Sequence, residues 1–201
     1  MGPMVLAGVV FEESELKYLE TTDIKDSKLL SKKKREELFK FITKNCKRYD
    51  IQIVSPKAID DKEKNGLNLN DLEAMKCAEI INVLSPDKAI IDCPSNNIKA
   101  WSNTVKKYLT NKCEIIAEHK ADLNHKICGA ASILAKCTRD NEIAKIQSKI
   151  KTPIGSGYPS DPVTKKFIQE NHDKYQDIFR KSWATYKKIA DQKNQGLLED
   201  Y

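Results

Sequence analysis

The chain has 201 residues, 40% of them hydrophobic and 32% charged, with 35 basic against 29 acidic side chains and a net charge of +6. This suffices for one substantial core, or a core with a small appendage. No apolar run nears the roughly 20 residues that a membrane helix needs, and Met1-Gly2-Pro3-Met4 has neither the basic start nor the cleavage site of a signal peptide.

Val5–Phe11, VLAGVVF, is an unbroken apolar run rich in β-branched residues and predicts a buried strand. Glu13 to Leu19 predicts a short helical turn, and Lys25-Asp26-Ser27-Lys28 a polar loop. Ser31 then caps a helix to about Cys46, whose inward positions are Leu38, Phe39, Ile42 and Cys46. Asp50 to Ser55 alternates like a second strand, Pro56 starts a turn, and Asp60 to Gly66 forms a solvated loop. Asn70 caps a helix to about Leu84. Lys88 to Asp92 is a short strand ending in a carboxylate, and Pro94-Ser95-Asn96 starts a helix to about Leu109.

The stretch Cys113–Asn141 follows. It starts as a strand led by Ile115 and Ile116 and turns through Glu118-His119-Lys120-Ala121-Asp122. A long helix follows, packed through Ile127, Ala130, Ala131, Leu134, Ala135 and Thr138. Asp122 is thereby expected at a helix N-terminus, as a plain cap or as a carboxylate placed for chemistry. The Pro- and Gly-rich loop Thr152–Pro162 interrupts the regular structure, two amphipathic helices near 163–175 and 181–192 follow, and the tail beyond Asn194 looks frayed. Alternating strands and helices with long crossovers predict an α/β fold, with helices against a sheet. The expected division is a core over residues 1–151 and a small helical extension over 152–201.

Basic residues cluster. Ten Lys and Arg fall between Lys25 and Arg48, and Arg180, Lys181, Lys187, Lys188 and Lys193 mark the last helix. A phosphate backbone asks this of a partner; a solvated lysine-rich helix face is the other explanation. The six cysteines, Cys46, Cys77, Cys93, Cys113, Cys128 and Cys137, show neither CxxC nor zinc spacing, so free thiols in a reducing cytoplasm are expected. Asp92 and Asp122 both follow short apolar strands. Neighbouring strands would bring the two carboxylates together, where a hard divalent cation suits them, unless both are ordinary turn residues.

Glu118-His119-Lys120-Ala121-Asp122 with Ala130–Asp140 (AASILAKCTRD) closely resembles the signature of the type 2 ribonucleases H, the ribonuclease HII family, in its archaeal style. Lys25–Leu30 is similar to that family's KDSK loop, Gly155–Pro162 to its GSGYPSDP loop, and Arg180-Lys181-Ser182-Trp183 to the pattern of its last helix. The resemblance implies a ribonuclease H-like mixed sheet flanked by helices, with a small C-terminal helical extension. It implies an endonuclease that cleaves the RNA strand of RNA–DNA hybrids, including single ribonucleotides embedded in duplex DNA, with four carboxylates and Mg²⁺ or Mn²⁺. Carried onto this chain, Asp92 and Asp122 are catalytic metal ligands and Tyr158 stacks at the ribonucleotide sugar. Ser27 and Lys28 hold backbone phosphates. Lys120 and Arg139 are further substrate contacts, with a structural ion pair the competing role for Arg139; His119 is expected to be structural. A monomeric cytoplasmic protein is implied.

One feature departs from the resemblance. Family members open with a strand ending in Asp-Glu-Ala-Gly-(Arg/Lys)-Gly-Pro, which supplies two more carboxylates, and this chain matches from just after it: no Asp or Glu precedes Glu12. The first strand of the fold is thus expected to be missing here, through a gene model that begins at an internal methionine, and the 201-residue form to be inactive or impaired. The upstream DNA should encode the motif in frame. The alternative function is a non-catalytic binder of hybrid or duplex.

Overall fold

The computed structural model describes residues 1–24, 30–64 and 66–189. Strand β1 (Met4–Val10) leads through a 3₁₀ turn at Glu13–Glu15 into helix α1 (Leu16–Glu20). Helix α2 (Lys32–Asn45) starts where expected, the Ser31 hydroxyl accepting from Lys34 N at 3.2 Å, and strand β2 (Arg48–Val54) follows. Residues 56–64 are not a turn and loop but helix α3 (Pro56–Lys64). The Ser55 hydroxyl accepts from Ala58 N at 3.1 Å, Pro56 suits the first helical position, and Ile59 is fully buried. Charge density in that stretch hid its single apolar anchor.

Helix α4 (Leu69–Leu84) is capped by Asn68 rather than Asn70, in a reciprocal box with Asp71. Asn70 instead offers its carbonyl to the Trp101 indole N–H at 3.0 Å. Strand β3 (Lys88–Asp92), helix α5 (Ile98–Lys107) and strand β4 (Glu114–Glu118) come next. The long helix expected after β4 is two helices: a single turn, α6 (Ala121–Asn124), then α7 (Lys126–Lys149), with the extended residue His125 between them. Helix α8 (Pro162–Asn171), a 3₁₀ turn at Gln176–Ile178 and helical residues 184–189 complete the described chain. The tail expected to fray lies outside it.

The α/β class stands, with the strands in two pairs, β1 beside β2 and β3 parallel to β4. The resemblance places a further strand beside β1, and the described residues supply none. Contacts gather the chain into two compact units. One comprises Val5–Ile53 and Asn68–Thr138; the other comprises Met1–Met4, Val54–Leu67 and Arg139–Tyr201. The first has two cores. Phe11, Leu19, Ile24, Leu38, Ile42, Ile133 and Leu134 form one, and Ala74, Ala78, Ile81, Trp101 and Val105 form the other, beside β3 and β4. The second unit buries Ile143, Ile150, Ile154, Phe167, Ile168 and Phe179. Each such Leu, Ile, Val or Phe side chain contributes about 1.5–3 kcal/mol when fully buried. No described helix is long and apolar enough to cross a membrane.

Candidate active site

In the first unit, β3 and β4 run parallel with Asp92 opposite Glu118 in register, so both strands end on a carboxylate at the same edge. Beyond Glu118 the chain reverses at Lys120, whose left-handed conformation (φ 59°) is uncommon for a side-chain-bearing residue. Its carbonyl accepts from Leu123 N at 2.9 Å and Asn124 N at 3.1 Å, closing α6. The reversal sends Ala121 N back to Asp92 Oδ1 at 3.2 Å and sets Asp122 in the first turn of α6. His119 Nδ1 lies 3.1 Å from the Cys93 carbonyl, and Cys93 N donates to the Glu118 carbonyl at 2.9 Å, extending the ladder past the strand end. Glycine is needed at position 129: a Cβ there would stand 2.8 Å from Ile24 Cγ2 and 3.0 Å from the Asp122 carbonyl oxygen.

The Cys128 thiol reports where the carboxylates point. It donates to the Ile90 carbonyl at 2.9 Å, and its pKa is pushed up to about 12, by burial first and then by the charges of Asp92, Asp122 and Glu118. Three carboxylates therefore share one neighbourhood. Glu118 has its own donors: Oε1 accepts from Asn124 Nδ2 and lies against His125 Nε2, each at 3.0 Å. Asp92 and Asp122 make no ion pair with Lys or Arg among the described residues.

The second unit carries the loop before α8. Asp161 caps that helix, Oδ1 accepting from Val163 N at 2.9 Å, while Oδ2 accepts from Ser156 N at 2.6 Å. These bonds, the Ser156 backbone N–H foremost and its hydroxyl next, hold the Asp161 carboxyl at about 2. The buried Thr164 hydroxyl accepts from Gly157 N and donates to the Ile154 carbonyl, both at 2.9 Å. Gly155 and Gly157 adopt φ of 68° and 76°, and a Cβ on Gly155 would meet Asp161 Oδ2 at 2.6 Å. On this frame Tyr158 is 41% exposed, with the Arg139 guanidinium 3.8 Å from its ring centroid. Arg139 is itself buried and donates to the Ser156 carbonyl at 3.3 Å.

A model of the family described as ribonuclease HII matches residues 1–186. The chain belongs to the ribonuclease HII family. The ribonuclease HII of Thermococcus sibiricus is 42% identical over 210 aligned residues, spanning 100% of this chain and 92% of that one. Among solved structures, ribonuclease H2 from Pyrococcus horikoshii superposes with a TM-score of 0.85 at 37% identity, over 96% of this chain and 92% of that one. The ribonuclease HII in a PCNA complex from Archaeoglobus fulgidus gives 0.75 at 37%, over 85% and 80%. The membership makes the chain one of a family of ribonucleases, which are hydrolases, and fixes the ribonuclease H-like fold class.

Within this ribonuclease HII family chain, Asp92 and Asp122 are brought together, and Tyr158 and Arg139 meet each other in the other unit. Ser27 and Lys28 lie outside the described residues. Lys120 closes the α6 turn with its backbone carbonyl, and its side chain is exposed. Arg180, grouped in sequence with a basic surface, is buried: Nε donates to Gly2 O at 2.9 Å, Nη2 to Pro3 O at 2.6 Å, and the guanidinium lies over Trp183. Its charge is absorbed by carbonyls. Sequence reasoning passed over Glu118, Asn124, His125 and Cys128. A signal existed: KAIID and EIIAE are five-residue strands, each ending in an acid, and aligning them pairs Asp92 with Glu118 before Asp122. For a divalent cation the donors fit in kind, being hard oxygens without a cationic partner among the described residues. Those residues include no group of three or more His, Cys, Asp or Glu placed to hold an ion.

Proposed function

We propose that this chain hydrolyses the RNA strand of RNA–DNA hybrids, and of duplex DNA containing ribonucleotides, with Asp92 and Asp122 holding Mg²⁺ or Mn²⁺. The observation that carries this is the gathering of Asp92 and Asp122 about the Cys128 thiol at the end of a parallel strand pair, without a Lys or Arg counter-charge among the described residues. When bound, the cation supplies an activated water and neutralises charge on the phosphodiester. Asp92 and Asp122 orient it. Ser27, Lys28 and Lys120 are proposed for the phosphates. Tyr158 offers an exposed ring to the sugar beside a 2′-OH, and Arg139 fixes that ring from behind. Soluble monomeric action in the cytoplasm and the helical extension from residue 152 belong to the same proposal.

The test offers hybrid, DNA duplex and single-stranded RNA to the protein with Mg²⁺, with Mn²⁺ and with chelator. Cation-dependent cutting confined to the RNA of hybrids is expected. Cutting that persists in chelator, or that ignores the hybrid, would sink the proposal. The second function is binding of hybrid without cleavage. Hybrid binding by a cooperatively melting protein, with no cutting in either cation, is its mark. The PCNA complex of the Archaeoglobus fulgidus relative makes PCNA a proposed partner, checked by co-elution.

A further inference from the structure

Helix α6 holds Asp122, and a helix of four residues is far below the length that sustains itself in water. Its placement must come from tethers. At its first residue, Ala121 N donates to Asp92 Oδ1 at 3.2 Å. At its last turn, Asn124 Nδ2 and His125 Nε2 both reach Glu118 Oε1 at 3.0 Å. Glu118 is in register with Asp92 on the adjoining strand. One strand end thus grips α6 at the front and its neighbour grips it at the back, with Asp122 between.

We infer that Glu118 is a positioning residue, which sets the distance from Asp122 to Asp92 by holding the Asn124–His125 end of α6, and so tunes the affinity of the two aspartates for a divalent cation. The inference rests on the proposed metal-dependent reaction for its consequence, while the clamp itself rests on geometry alone. Glu118 differs from Asp92, which accepts one backbone N–H, in that two side-chain groups meet on its Oε1, which leaves it supporting rather than ligating. Outer partners of this kind typically alter metal affinity about 10–100-fold. What the role requires is an accepting oxygen at Oε1, which glutamine retains and alanine lacks.

The experiment uses the 201-residue protein and its Glu118→Ala, Glu118→Gln and Asp122→Asn variants, with Mn²⁺ binding followed by electron paramagnetic resonance. Amide hydrogen exchange at Leu123, Asn124 and His125 is measured without metal. Glu118→Ala is expected to speed exchange at those amides about tenfold or more, with the thermal midpoint and the amides of α4 and α7 unchanged. It is expected to weaken Mn²⁺ binding about tenfold, and Glu118→Gln to restore most of both. Unchanged exchange in Glu118→Ala overturns the inference, as does a glutamine variant as impaired as alanine. If the parent protein takes up no Mn²⁺, or Asp122→Asn binds it equally well, the metal proposal falls, and the exchange measurement still decides the clamp.

Discussion

The end of the β3–β4 pair and the loop before α8 treat their acids in opposite ways. Around the strand ends, Asp92, Asp122 and Glu118 all act on the charge of one half-buried thiol, Cys128, and neither aspartate has a Lys or Arg partner among the described residues. In the loop, Asp161 accepts from two backbone N–H groups, its charge spent on holding one turn in shape. Carboxylates without a Lys or Arg counter-charge are available for chemistry. Charge fully satisfied makes a platform, here one that presents a single exposed tyrosine with an arginine behind it.

That contrast can be broken from either side. Asp92→Asn or Asp122→Asn is expected to lower Mg²⁺-dependent hybrid cleavage about 100-fold or more with an unchanged melt; cleavage kinetics at saturating substrate check it, and unaltered rates would return both residues to ordinary turn positions. In the loop the effects should fall on stability. Thr164→Val strips both the acceptor of Gly157 N and the donor to Ile154 O, and should cost about 2 kcal/mol in urea denaturation. Gly155→Ala meets a left-handed φ and a carboxylate oxygen together, and should cost about 1–2 kcal/mol by the same measurement. The smallest effect concerns pH. Asp161 ionises more readily folded, at about 2, than at its ordinary 3.8, so its stabilisation is fully present above the ordinary value. It fades as pH falls from about 3.8 to about 2. Melting curves across that window should be flatter for Asp161→Asn.

Much of this was legible in the residues. β1, β3 and β4 are apolar runs bounded by polar residues, and the Ser31 cap of α2 shows in the hydroxyl before the basic turn. Asp92 was legible as a strand-end acid and Asp122 as an acid at a helix start, and the strand–turn–helix pattern already suggested that they neighbour each other. α3 was lost because one buried isoleucine among charges leaves no visible period. The split between α6 and α7 was lost because it depends on two residues, left-handed Lys120 and extended His125, neither of them a glycine or proline that would announce a break. The Glu118 clamp was invisible for a different reason: its donors sit six and seven positions away, and only the reversal at Lys120 brings them back.

The thiol beneath the three carboxylates has a practical consequence. Alkylating reagents and peroxides attack the thiolate, and at neutral pH a group held at about 12 supplies only on the order of one thiolate in 10⁴ to 10⁵. Cys128 lies beside the carboxylates of the proposed chemistry and is chemically quiet, protected first by burial and then by the same charges that would attract a cation. Maleimide dyes can therefore be attached at more reactive cysteines while this corner stays unmodified.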